Sequence, residues 1–206
     1  MKKIKRLCSY FLLMNFVFFL TYSCKKDSNK SGIETVAIGQ SYQGGVVAYI
    51  LRPEDNGYDA NVQHGLISAS SDQSEAANWG CRTGLWGGTA LAGASGTAIG
   101  TGNQNTIDIM AGCSNAGIAA RLCGDLVLAG YSDWYLPSRD ELARLYDNKV
   151  AIGGFANECY WSSSQKFTVG SSSSYGTDAW IVWFDDGTQD GGDAKLGPRV
   201  RAIRSF

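Results

Sequence analysis

Six cysteines, one histidine and a group of aspartates are the residues of this 206-residue chain whose types could do chemistry. Cys8 falls in an apolar N-terminal run, which leaves Cys24, Cys81, Cys113, Cys123 and Cys159. There is no C-x-x-C pair, and His64 alone cannot complete a tetrahedral zinc site beside cysteines so scattered. Asp185, Asp186, Asp190 and Asp193 could offer oxygens to calcium, which takes about six to eight of them. Their spacing is not D-x-[DN]-x-[DN]-G, and Asp186-Gly187 has a plainer account as a hairpin turn. A Ser/His/Asp site would have to be built on His64, and lone histidines are mostly structural or surface groups. The expectation is a chain with no metal, no cofactor and no catalytic residue.

Other side chains suit binding. Trp134, Trp161, Trp180 and Trp183 could stack on sugar faces. Strand alternation puts Trp180 and Trp183 on opposite faces, so at least one is buried, and a core role is the better reading for all four. Arg199, Arg201 and Arg204 could meet acidic ligands, but pairing with the aspartates of 185–193 is the simpler expectation. Of the cysteines that remain after the N-terminal region, three pairings are possible. Cys81–Cys113 is expected as the disulfide, with Cys123 and Cys159 either free or paired to each other.

The elements that must position these residues are legible in places. Gly45–Leu51 is a continuous apolar run that predicts a buried strand, closed by the turn-forming Arg52–Gly57. His64–Ala69 is a second strand candidate, and Ser70–Asn78 reads equally as loop or short helix. Gly80–Asn105, rich in glycine and nearly uncharged, predicts a long loop; its spacing fits neither G-x-x-x-x-G-K nor G-x-G-x-x-G. Thr106–Ala111 and Ile118–Leu126 predict short helices, the second with Ala119, Leu122, Cys123 and Leu126 on its apolar stripe. Ser138-Arg139-Asp140-Glu141 is a capping box: Ser138 caps a free amide and Glu141 reaches back to reciprocate. Leu142, Leu145 and Tyr146 then share a face, and Asp147-Asn148-Lys149 ends the helix. Tyr160–Ser164, Ala179–Phe184 and Arg199–Phe206 predict strands, with Phe167–Asp178 a loop.

Composition bounds the class. Hydrophobic residues at 44% and charged residues at 18% exclude a disordered polyampholyte. The 26 glycines follow no G-X-Y period, which excludes collagen. Residues 1–23 hold four of the 18 basic residues (Lys2, Lys3, Lys5, Arg6) and none of the 19 acids. The rest of the chain therefore carries 14 basic against 19 acidic groups, which argues against nucleic acid as a partner. Met1–Arg6 is a basic n-region, and Leu7–Tyr22 is an apolar stretch too short to span a bilayer. With Ser23-Cys24 and the polar run after it, this segment resembles a bacterial lipoprotein signal. That resemblance implies a signal peptide over 1–23, lipidation of Cys24 as the membrane attachment, and a tether over 24–37. It departs from the usual pattern at Thr21, where an aliphatic residue is customary.

Tyr131-Ser132-Asp133-Trp134-Tyr135-Leu136-Pro137-Ser138-Arg139-Asp140-Glu141-Leu142 carries a more specific resemblance. So do Asn148–Phe155, Tyr160–Ser164, Ala179-Trp180 and Val200–Arg204, with Ser41–Gly45, Gly57–Asp59 and His64–Ile67 before them. In this order the motifs resemble the DUF1566 family, also called the Lcl C-terminal domain, over about residues 38–206. The Trp-x-Leu-Pro-Ser-x-x-Glu-Leu segment is similar in turn to formylglycine-generating-enzyme-like proteins, which implies a C-type-lectin-like α+β fold. A small twisted antiparallel sheet, a few short helices and long loops are then expected. The reactive cysteine pair of those enzymes has no counterpart in 178–206. The function implied is a non-catalytic surface or adhesion module on an outer-membrane lipoprotein, with a glycan or a surface protein as partner. A structural envelope scaffold is the alternative.

Overall fold

The structure is a computed structural model that describes residues 35–81, 91–166, 178–192 and 197–206. Ile33–Phe206 is one compact unit. Among the described residues, two small antiparallel sheets and four short helices give the expected α+β class, with the strands divided between the sheets. The first sheet has the order β1-β2-β3-β7, with β1 Ser41–Tyr42, β2 Gly45–Ile50, β3 Gly65–Ser68 and β7 Ile203–Ser205. Gln43 and Gly44 both have positive φ, as a two-residue hairpin turn requires, and pair Tyr42 with Gly45. The second sheet is β4-β5-β6, with β4 Cys159–Lys166, β5 Asp178–Trp183 and β6 Gln189–Gly192. The Asp186-Gly187 turn between β5 and β6 is as expected: Thr188 N–H donates to Asp186 Oδ1 at 2.8 Å.

Alternation along strands feeds two apolar cores. On β5, Ala179 and Ile181 join Ile67, Trp79, Ile109, Cys123, Trp134 and Trp161. Val182 and Phe184 face the other way, onto Tyr49, Leu142, Leu145, Tyr160 and Ile203. The helices are α1 Gly102–Gly112, α2 Ala119–Gly124, α3 Arg139–Asp147 and α4 Lys149–Ile152. Cys123 is fully buried on α2 within the first core, as its stripe predicts.

Several boundaries differ from expectation. Helix α1 begins at Gly102, inside the stretch read as loop, because tertiary contacts replace propensity there. A Cβ on Gly102 would come within 2.2 Å of Glu141 Oε2, so only glycine allows the helix start to sit on that carboxylate. Asn105 then fastens the preceding loop through Gly96, with N–H···O bonds in both directions. Residues 82–90 of the same glycine-rich stretch, and the 167–177 part of the expected Phe167–Asp178 loop, lie outside the described residues. The helix that ends at Asp147 is followed at once by α4, which the sequence pattern does not announce. The expected Arg199–Phe206 strand is regular only over Ile203–Ser205. Its earlier residues run extended but change partners, Arg199 bridging Tyr160 and Val200 bridging Ser74.

The serines of β4 are wholly buried, and each has hydrogen-bond partners. Ser162 Oγ donates to Trp180 O, and Ser164 Oγ donates to Gly96 O while accepting from Arg139 N–H. Asn105 Nδ2 donates to Ser163 Oγ. Ser163 and Ser164 thus tie the second sheet to α1, α3 and the loop at Gly96, and Ser162 links β4 to β5 within it.

Candidate functional site

The residues singled out by sequence are dispersed. Cys81 and Cys113 are joined in a disulfide, and Cys123 and Cys159 are free and buried. Burial pushes the Cys123 thiol up, which removes it from thiolate chemistry. Cys24 lies outside the described residues. The capping box is complete: Glu141 N–H donates to Ser138 Oγ at 3.3 Å, and Ser138 N–H donates to Glu141 Oε2 at 2.7 Å. Glu141 Oε1 also accepts from Gly100 N–H at 2.9 Å, so one buried carboxylate caps α3 and holds the chain just before α1. Burial pushes it up to about 7, against the lowering effect of those amide bonds.

Two expectations are corrected. The C-terminal arginines do not pair with Asp185, Asp186 or Asp190. Arg201 is fully buried and donates to Asp72 Oδ1 at 2.7 Å, to Ala69 O and to Gly154 O, with its guanidinium over the Phe155 ring. Arg199 donates to Asp72 and Glu158, and Arg204 makes a two-bond pair with Asp133. Asp72 also accepts from Tyr160 Oη, so it is the anchor of this network. Chain direction explains the difference: residues 199–206 run along β4, the 72–74 segment and β3, away from the β5–β6 turn. Asp190 pairs with Lys166 instead, and Asp186 holds its own turn. Asp193 is outside the described residues. The second correction concerns the tryptophans. Trp134 and Trp161 are core, but Trp180 and Trp183 are half-buried. Trp180 is covered by Arg139 and Lys166, so its ring is not open for stacking.

A different group of residues forms the candidate site. A cleft of about 440 Å³ is bordered by Ile38, the end of β2, Arg52-Pro53, Tyr58 and the C-terminal turn of α3. Tyr49 is its buried floor. Its hydroxyl donates to Asp55 at 2.7 Å, and burial and that bond push the phenol up to about 12. Arg52 and Arg144 flank the Tyr49 ring at 5.6 and 5.5 Å. Arg144 donates to Asp147 at 3.1 Å, and Asn148 Nδ2 donates to Ala48 O and Arg144 O, which fixes both side chains at the rim. The Tyr58 ring is 41% exposed, and its hydroxyl has no partner among the described residues. A neighbouring cleft of about 230 Å³ shares Tyr58 and reaches Val62 and His64. Ile38, Tyr58 and Val62, three of the exposed large apolar side chains among the described residues, thus gather here.

His64 borders the second of these clefts. Its Nδ1 is 3.1 Å from Phe206 O, a contact that ties β3 to the C-terminus. No group of three or more His, Cys, Asp or Glu suited to a metal occurs among the described residues. A larger cleft of about 510 Å³ lies beside α2, but its charged residues are engaged. Arg121 there donates to Met110 O and Cys113 O and pairs with Asp125.

The sequence pattern marks Asp147-Asn148 only as a helix end and Tyr58 only as part of the Gly57–Asp59 family motif. An aromatic ring inside the turn-rich 52–61 stretch was the available signal. Arg144 and Asp147, three apart on a helix, were the second, since that spacing puts them on one face. A search of curated proteins returns no match. A family model described as the Lcl C-terminal domain matches residues 63–204, from the start of β3 through β7. The chain belongs to the Lcl C-terminal domain family.

Proposed function

We propose that this chain is a non-catalytic binding module of the bacterial envelope whose ligand is a glycan. The observation that carries the reading is the 440 Å³ cleft at Tyr58. An exposed phenol ring there stands beside planar polar side chains held by intramolecular bonds, Arg144, Asp147 and Asn148. Sugars are recognised in this way, with an aromatic face for the C–H side of a ring and fixed donors and acceptors for its hydroxyls. Fold class alone would not select this function. Anchoring through lipidated Cys24 in the outer membrane, after removal of 1–23, is part of the same proposal, with 24–37 as the tether that holds 38–206 off the bilayer. The test is a glycan array probed with residues 33–206. Selective retention of a glycan class supports the reading. A blank array would transfer the cleft to a protein partner, for which the exposed Ile38 and Val62 are the favouring feature.

A further inference from the structure

A smaller cleft of about 170 Å³ shares Leu51 with the 440 Å³ cleft and lies between the Asn56-Gly57 turn, the start of β3 and Ile99-Gly100. That is the room of roughly five or six waters, or of one six-membered ring. Leu51, Leu66, Ile99 and Phe206 are its apolar lining, and the exposed Ser205 is among its polar groups. Behind Ser205 runs a chain of hydroxyls into the interior. Ser205 Oγ lies 2.8 Å from Tyr135 Oη, and Tyr135 Oη lies 3.5 Å from Glu141 Oε1. The groups facing this carboxylate are few. The first turn of α1 brings backbone and no acid, Asp140 of α3 is paired with Arg139, and β7 contributes the neutral Ser205. Asp133, held by Arg204, acts on Tyr135 rather than on Glu141.

The direction of that hydroxyl chain depends on one proton. An ionised Glu141 can only accept, so Tyr135 O–H turns toward it, Ser205 O–H donates to Tyr135, and Ser205 offers lone pairs to the cleft. When Glu141 takes a proton from solvent, Oε1–H donates to Tyr135 and Tyr135 O–H donates to Ser205. The Ser205 O–H is then free to donate into the cleft. We propose that this cleft binds an uncharged, ring-sized molecule through a hydrogen-bond-accepting group, and that the proton on Glu141 decides whether Ser205 can donate to it. Burial of Glu141 places the change near neutral pH.

Cyclohexanone, a ring with an acceptor and no donor, is the probe. Its binding to residues 33–206 is followed by amide NMR shifts at Gly100 and Ser205, at about pH 5.5 and about pH 8.5. The expected result is binding about tenfold tighter at the lower pH, the net worth of one hydrogen bond. Ser205→Ala, which leaves the buried Tyr135–Glu141 pair intact, should abolish that difference, as should Tyr135→Phe. His64 also borders this cleft, so His64→Gln must keep the difference. No shift at Gly100 or Ser205 at either pH overturns the site. Equal binding at the two pH values, or a difference lost in His64→Gln and kept in Ser205→Ala, overturns the coupling.

Discussion

Glu141 has two tasks that conflict: as a carboxylate it accepts from Ser138 N–H at the α3 cap and from Gly100 N–H before α1, and as a buried group it resists ionisation. Its folded value near 7 lies above the ordinary 4.5, so the folded state holds this proton more tightly than the unfolded chain. The stability it contributes is full below about pH 4.5 and is lost as pH rises to about 7, a fall of about 3 kcal/mol. Urea unfolding of the wild type and of Glu141→Gln should show the gap between them changing by that amount across the window; a constant gap would count against the assignment. Asp72 poses the opposite problem, since it neutralises the fully buried Arg201. Asp72→Ala should destabilise by about 3–5 kcal/mol by stranding that charge, and adding Arg201→Met should recover much of the loss. If Asp72→Ala unfolds like the wild type, the network is not structural. The two residues differ in legibility for a physical reason. A capping box closes within four residues, so sequence announces it. Asp72 and Arg201 meet only because the chain end returns to the 72–74 segment, and no local pattern records that.

Elements were legible where local chemistry decides them and obscure where packing does. Helix α3 has a cap, an apolar face and a stop, and the β5–β6 turn has Asp-Gly; both are where the sequence puts them. The first turn of α1 is Gly-Asn-Gln-Asn, poor in propensity, and is held by Glu141, Gly96 and Leu136 through tertiary contacts. The cleft was obscure for the same reason, since β2, the 52–58 turn and the end of α3 supply its walls from distant parts of the chain. Cys81–Cys113 fastens the end of α1 to the segment before it, across a separation of 32 residues. Its removal by the paired change Cys81→Ala and Cys113→Ala should lower unfolding free energy by about 3–4 kcal/mol in denaturant titration. A loss under about 1 kcal/mol would mean that the apolar contacts of α1 and α2 hold this region without it.

At the scale of the whole molecule, a compact unit beginning near residue 33 follows a segment whose sequence reads as an export and lipidation signal. Acyl chains add about 0.8 kcal/mol of membrane affinity per buried methylene, so lipidation of Cys24 would hold the protein at a bilayer. Cys24→Ala should move it from the membrane to the soluble fraction of fractionated cells, and unchanged partitioning would refute the lipid anchor. The recognition surface proposed for it is the cleft at Tyr58. Calorimetric titration of the strongest array ligand against wild type and Tyr58→Ala tests this most directly. Tyr58→Ala should lose at least about tenfold in affinity, with the melting temperature unchanged because the ring is a surface group. Equal affinity in the two proteins would contradict it.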